Sequence, residues 1–441
     1  MPSGVDVTVV GAGAKATAIA AKVHAINRLG LARVSLSIIE DLEHAASWMG
    51  RNGMTSGKEI LAITPLKDVG FPYESRRSFG DRGEAVDGVL AELSWSRYLI
   101  AEGQYSRWLH AGAPPVRHRD YGEYLKWALA RATDGVEVEA GRVTQIAFDG
   151  DRCGWLLDID GPLDSSQRRS PALVMTGPGM HRVLEHDAEA APRLFHCDGP
   201  RSDFERLPVE WGCDIAIVGS GDSALSAAVF LRRLRPNCRL TVYTAGLPLS
   251  RGESFLENRV FSDPDCVSWE ALDARTRRDF IRHADRGVFG TEQLVEVASD
   301  EACEFVLGRA IRVLARSKGI GIEYEAPEGI AIGLHDYVVN CTGFDLLTRL
   351  HALFPPAVRA EIEARSGPVW AAPPGAELKF GRMLELRGMR PLLHIPGLAA
   401  MSQGPGFANL GCLGLLSDRV LERFVRLDER SVHLHEASRL M

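Results

Sequence analysis

Asp6-Val-Thr-Val-Val-Gly11-Ala-Gly13-Ala-Lys-Ala16 decides the fold: a short β-branched run stops at a glycine pair, and an alanine-rich stretch continues to Val23. A switch from strand period to helix period at two glycines is the opening of a βαβ unit. Gly11 permits the tight turn, Gly13 lets a backbone approach a pyrophosphate, and the small Ala16 lets helix and strand pack closely. The helix N-terminus then faces the phosphates. The next strand-like run, Val34 to Ile39, ends at Glu40, where a carboxylate can accept both hydroxyls of an adenosine ribose. A ligand-free strand–helix turn has no need of that acid, so the combination points to a bound dinucleotide.

The same grammar returns about two hundred residues later, in Asp214-Ile-Ala-Ile-Val-Gly219-Ser-Gly221-Asp-Ser223-Ala224, continuing to Leu231. Its following strand ends at Tyr243-Thr244 with no acid. A carboxylate there would repel a 2′-phosphate, so its absence leans towards NADPH over NADH. Arg251 lies just beyond and is a candidate phosphate partner, against the plainer reading of a loop arginine. Val174-Met-Thr-Gly177 and Val339-Asn-Cys-Thr342-Gly343-Phe344 are strand ends that flank this second unit. As a pair they read as crossings between an FAD domain and an inserted NADPH domain.

The 441 residues, 45% hydrophobic and 25% charged, suit two or three packed units. A net charge of -7 offers no basic field for nucleic acid or an anionic membrane. No leader-like segment or long apolar run is evident, which sets the expectation of a cytoplasmic protein without membrane spans. The eight cysteines are dispersed with no C-x-x-C pair, as in a reducing compartment. That spacing also argues against a metal site and a dithiol redox centre.

Further segments carry a resemblance. Trp48, then Gly53-Met54-Thr-Ser56-Gly-Lys58-Glu59, is similar to the Trp…Met-x-x-Ser…Lys-Asp segment beside the flavin in the flavin-dependent N-hydroxylating monooxygenases, the ornithine and lysine N-hydroxylases of siderophore pathways. Arg119-Asp-Tyr121-Gly-Glu-Tyr124-Leu-Lys-Trp127 resembles their Arg-Glu-Phe-x-x-Tyr-x-x-Trp helix, and Phe255-Leu-Glu-Asn258-Arg-Val-Phe261 their Val-Asn-Glu-x-Phe segment. Leu410-Gly411-Cys-Leu-Gly-Leu-Leu416-Ser417 resembles the closing motif at the flavin, with Gly414 near the place of its aspartate.

The resemblance implies a reaction in which NADPH reduces FAD, oxygen adds as a C4a-hydroperoxide, and the neutral amine of a small-molecule substrate is hydroxylated. A free alkyl ammonium must first lose its proton, at a cost of roughly 4.6 kcal/mol at pH 7. It further implies that Lys58 binds the substrate carboxylate, that Asn258 contacts substrate and nicotinamide, and that Ser417 belongs to the catalytic set. Trp48, Met54, Thr342, Gly343, Gly411 and Leu416 are expected at the cofactors. Arg286, near a position where the family has an asparagine, is expected at the substrate as an added cation. The family also implies a homo-oligomer such as a tetramer.

The expected fold is therefore α/β, with two Rossmann-like dinucleotide-binding domains and a small helical substrate-site region. The FAD domain spans 1–206 and 341–441, and the NADPH domain 207–340 with a helical cap at about 253–296. Two alternatives stay open. One is another class of flavin monooxygenase acting on sulfide or ketone, although its F-x-G-x-x-x-H-x-x-x-[WY] motif is not found. The other is a nucleotide-binding regulator without catalysis.

Overall fold

The computed structural model describes residues 5–51, 55–151, 153–197, 199, 212–370 and 379–425. Two five-stranded sheets organise it, and both are parallel throughout. The first runs Leu392–His394, Ala172–Met175, Val7–Val10, Leu36–Glu40, Val136–Ala140. The second runs Leu194–His196, Tyr337–Asn340, Asp214–Val218, Arg239–Thr244, Cys303–Leu307. Val7–Val10 is buried along its whole length, which is why it reads as a continuous β-branched run rather than an alternation. Each unit also carries an antiparallel sheet, formed by Arg142–Phe148, Trp155–Asp160 and Ser165–Ser170 in the first. In the second it is built on Arg309–Ala315, Ile320–Ala326 and Gly329–His335.

The first unit takes its strands from both ends of the chain. Its first helix, Ala14–Arg28, buries nearly every residue from Ala14 to Ile26. Among them is Lys22, which pairs with the buried Asp418 and donates to Ser75 Oγ at 2.7 Å. That pair ties the start of the chain to the helical stretch 413–425, and breaking it would strand a buried charge at a cost of about 3–5 kcal/mol.

The chain crosses between units on a two-stranded ribbon, Met180–His181 against Phe344–Asp345. The Thr176-Gly177 and Thr342-Gly343 turns stand at its ends. The second sheet already includes Leu194–His196, and Glu185–His186 pairs with Arg309–Ala315. The inserted unit thus begins well before the expected residue 207. Strands of two or three residues are too short to show a period of two, so that boundary had no signal. Over the cap, Phe255–Ser262, Ala274–Ala284 and Thr291–Ala298 are helical. No helix among the described residues is long and apolar enough to cross a membrane.

Candidate active site

One continuous cavity of about 1680 Å³ runs between the units and is lined by both glycine turns. A single drug-sized ligand occupies about 300–1,000 Å³, so this space suits more than one bound molecule. At one end Gly11 has a φ of +97°, and a Cβ there would stand 2.9 Å from Thr176 Oγ1. Gly13, next to it, faces open space. Ala16 is fully buried beneath the turn, as close helix–strand packing requires. Glu40 reaches back to accept from Ala12 N at 2.7 Å and Leu42 N at 3.1 Å. Burial pushes its carboxyl up, against the pull of those two donors. An open glycine, a helix start and a carboxylate at the strand end fit an adenine dinucleotide.

In the second unit, a Cβ on Gly219 would lie 2.5 Å from Cys341 O, so glycine is needed for close approach. Gly221 and Ser223 line the cavity, while Ala224 is buried under the turn. Arg251 does not stand at the end of Arg239–Thr244. Its guanidinium pairs with Asp222 at the helix start and donates to Ala62 O at 3.3 Å. The loop after Thr244 folds back over the helix N-terminus and carries Arg251 with it, away from a 2′-phosphate position. Arg309 stands at that strand end instead. Its neighbour Gly308 donates N–H to Thr244 O at 2.8 Å, and Arg309 lines the cavity.

Between the two turns lies a polar junction. Lys67 Nζ donates to Asn258 Oδ1 at 2.9 Å, and Asn258 Nδ2 donates to Glu253 O at 2.8 Å, which fixes the amide's orientation. Asn258 is carried on Phe255–Ser262, whose start is held by a capping box between Ser254 and Glu257. Lys15 Nζ donates to Ala408 O at 2.8 Å. Asn409 Nδ2 donates to Asp285 Oδ1 at 3.0 Å, and Asn409 Oδ1 accepts from Gly411 N at 2.8 Å. Burial raises the Asp285 carboxyl and lowers both lysines, Lys15 to about 8. Arg286 is exposed at the cavity edge.

Trp48 forms the opposite wall, edge-on to His118 at 5.2 Å and Tyr121 at 5.5 Å. Thr55 fixes the His118 tautomer by valence. Its Oγ1 donates to the Glu59 carboxylate at 2.8 Å and accepts Gly57 N–H at 3.1 Å, so the 2.8 Å contact to His118 is an Nδ1–H donation. His118 Nε2 is then left as an acceptor. Burial keeps the ring neutral.

Several expected residues are elsewhere. Lys58 is exposed and outside the cavity wall. Glu59 turns inward beside it, accepting from Ser56 N at 2.7 Å and Ser56 Oγ at 2.8 Å, and this leaves Lys58 facing solvent. Ser417 and Leu416 are buried in the core rather than on the cavity, and Ser417 Oγ donates to Gly414 O at 2.8 Å. Met54 lies outside the described residues. Thr342, Gly343 and Gly411 line the cavity. Lys67, Asp285, Asn409 and Arg309 were missed. The pair Lys67-Asp68 carried a signal for the first, since it is a true Lys-Asp and follows Ser56.

Known proteins match this arrangement. The family model for L-lysine 6-monooxygenase/L-ornithine 5-monooxygenase matches residues 90–296. The L-lysine N6-monooxygenase MbtG of Mycobacterium sp. (strain MCS) is 33% identical over 427 residues, covering 94% of both chains. MbtG of Mycobacterium tuberculosis (strain CDC 1551 / Oshkosh) is 32% identical, covering 94% of this chain and 93% of its own. This chain belongs to the lysine/ornithine N-monooxygenase family. The solved structure of the lysine monooxygenase NbtG from Nocardia farcinica superposes with a TM-score of 0.80 at 30% identity, over 94% of this chain and 99% of that one. The ornithine N-hydroxylase of Kutzneria sp. 744 shares the fold, with a TM-score of 0.75 at 16% identity over 97% of this chain and all of its own. The enzyme is an NADPH-dependent flavin monooxygenase that hydroxylates an amine nitrogen, with FAD and NADPH as cofactors. These likenesses decide against a sulfide or ketone oxygenase and against a regulator without catalysis.

Proposed function

We propose that the substrate amine is the side-chain amine of a free amino acid of the lysine class, in a natural-product or siderophore pathway. The observation that carries this reading is the Lys67–Asn258 contact in the cavity wall, where the two nucleotide units meet. Gly11, Gly13 and Glu40 would hold FAD, and Gly219, Gly221 and Ser223 would hold NADPH, with Arg309 available to its 2′-phosphate. Bound there, the flavin would supply the activated oxygen that N-hydroxylation needs. The chain's own residues do the rest: Lys67 holds the substrate carboxylate, Asn258 orients Lys67, and Trp48 walls off water. A desolvated amine end offsets part of the deprotonation cost. Arg286, at the cavity edge, is positioned to meet a carbonyl or carboxylate of the incoming substrate.

The test is oxygen-dependent NADPH oxidation by the FAD-loaded enzyme across lysine, ornithine, cadaverine, aspartate and simple alkylamines, scored for hydroxylamine. Lysine is expected to give hydroxylamine in step with NADPH use. Peroxide alone with every amine overturns the substrate class.

A further inference from the structure

Lys15 stands where a glycine turn asks only for a small residue that does not obstruct the helix start. A lysine there, on the first turn of Ala14–Arg28, sends a long cation into the cavity wall. Its one hydrogen-bond partner is the neutral carbonyl of Ala408, just as Lys67 is held by the neutral amide oxygen of Asn258. Each ammonium has three donors, so each keeps protons to give.

Lys22 and Lys126, by contrast, are matched with acids, Lys22 with Asp418 and Lys126 with Glu43 at 2.9 Å. Among the described residues no carboxylate lies within ion-pair distance of Lys15 or Lys67. Both line the same cavity, Lys15 at Ala408 and Lys67 at Asn258. Lys15 is faced by Cys412, Asp285 and Arg286, and Lys67 by Glu253, Cys412 and Arg251. Two desolvated ammonium groups on one cavity wall, each with an acid nearby but none in contact, are costly unless an anion joins them. Lys15 reaches Ala408 and lies near Asp285, at the junction with the inserted unit.

We propose that Lys15 and Lys67 together form the seat of the substrate's α-carboxylate, with Lys15 a specificity-determining residue for amino acids over plain diamines. This rests on the substrate reading given above and extends it to a residue on the flavin-binding turn itself. Cadaverine is lysine without the carboxylate, so the ratio of kcat/KM for lysine to that for cadaverine isolates the effect.

The experiment uses FAD-loaded enzyme, wild type, Lys15→Met and Lys15→Arg, with lysine Kd from protein fluorescence and the flavin midpoint potential beside the kinetics. Lys15→Met is expected to lower the lysine-to-cadaverine ratio about tenfold or more, through KM, with lysine Kd rising in parallel. Lys15→Arg recovers most of the ratio. In the wild type the ratio falls as pH climbs through about 8, where Lys15 of the free enzyme gives up its proton, and Lys15→Arg abolishes that fall. An unchanged ratio in Lys15→Met overturns the proposal, and so does a shifted flavin potential with the ratio intact, which assigns the cation to the flavin. Should Lys15→Met purify without flavin, the wild-type pH series against Lys15→Arg decides alone. A wild-type enzyme that does not hydroxylate lysine overturns the substrate reading instead, a distinct result.

Discussion

Gly11 and Gly219 occupy the same place in the two nucleotide units, at the end of the central strand, and they are glycines for different reasons. Gly11 has a positive φ and closes a turn that Glu40 braces from the neighbouring strand. Gly219 is not in the left-handed region; it is small because the Cys341 carbonyl passes beneath it. The acids differ in the same way. In the first unit the carboxylate sits at the ribose end, whereas in the second Asp222 sits at the helix start, where it also accepts Gly290 N–H at 2.8 Å. The first turn is knit into its own unit, and the second is assembled from the crossing strand and the cap. That is the contrast expected between a nucleotide kept through many turnovers and one that comes and goes.

The largest expected effect tests that contrast at its root. Gly11→Ala forces a side chain into a left-handed conformation and against Thr176, a strain of about 1–3 kcal/mol placed at the turn proposed to hold FAD. It should purify largely without flavin, as read from the 450 nm to 280 nm absorbance ratio. Gly219→Ala should keep its flavin and lose NADPH affinity; equal flavin loss in both would erase the distinction drawn here.

Acid sensitivity comes next. His394, fully buried in the first sheet, is bonded to the Met383 carbonyl through Nδ1 at 2.8 Å and leaves Nε2 without a partner, and burial lowers its pKa to about 4. Below about pH 6.5 the unfolded chain takes up a proton that the fold refuses, so stability is present above that pH and is lost as pH falls towards 4. At about 1.36 kcal/mol per unit the loss reaches roughly 3 kcal/mol. The thermal midpoint followed by flavin release should drop over this window, and His394→Asn should flatten the drop. An unaltered slope removes His394 as the cause.

A smaller effect separates the nucleotides at their adenosine ends. Arg309→Ala should cut the NADPH-over-NADH preference about tenfold, the scale of one charge-assisted contact, while Arg251→Ala should leave that preference nearly intact. The reverse pattern would restore Arg251 to the phosphate. Smallest of all, Lys58→Ala should stay within about 0.5 kcal/mol in stability and leave the KM for lysine unchanged, as for an exposed side chain. A raised KM would return Lys58 to the site.

How far the sequence could be read follows from the length over which each signal acts. Both βα turns were legible because a strand, a glycine pair and an alanine helix repeat one pattern over some fifteen residues. The Met180–His181 and Phe344–Asp345 ribbon was visible only through its Thr-Gly turns, since two-residue strands carry no period of their own. The site was less legible. Lys58-Glu59 and Lys67-Asp68 look alike on paper, and their acids are both buried, Asp68 holding Trp95 N at 2.9 Å and Tyr73 Oη at 2.7 Å. Which lysine faces the cavity depends on how each acid turns its backbone, and that is settled by a contact 27 residues distant in one case and three in the other. Lys15 departs from the small residues of its turn, but its meaning depends on Ala408, at the far end of the chain.

The crossing ribbon has one more consequence. Because the chain leaves for the inserted unit and returns from it on paired neighbouring strands, the outgoing and incoming ends sit side by side. The first unit therefore closes its own sheet without help from what is spliced between Thr176 and Phe344. In design terms the insert is a cassette with its two splice points side by side, where another pyridine-nucleotide module could be grafted.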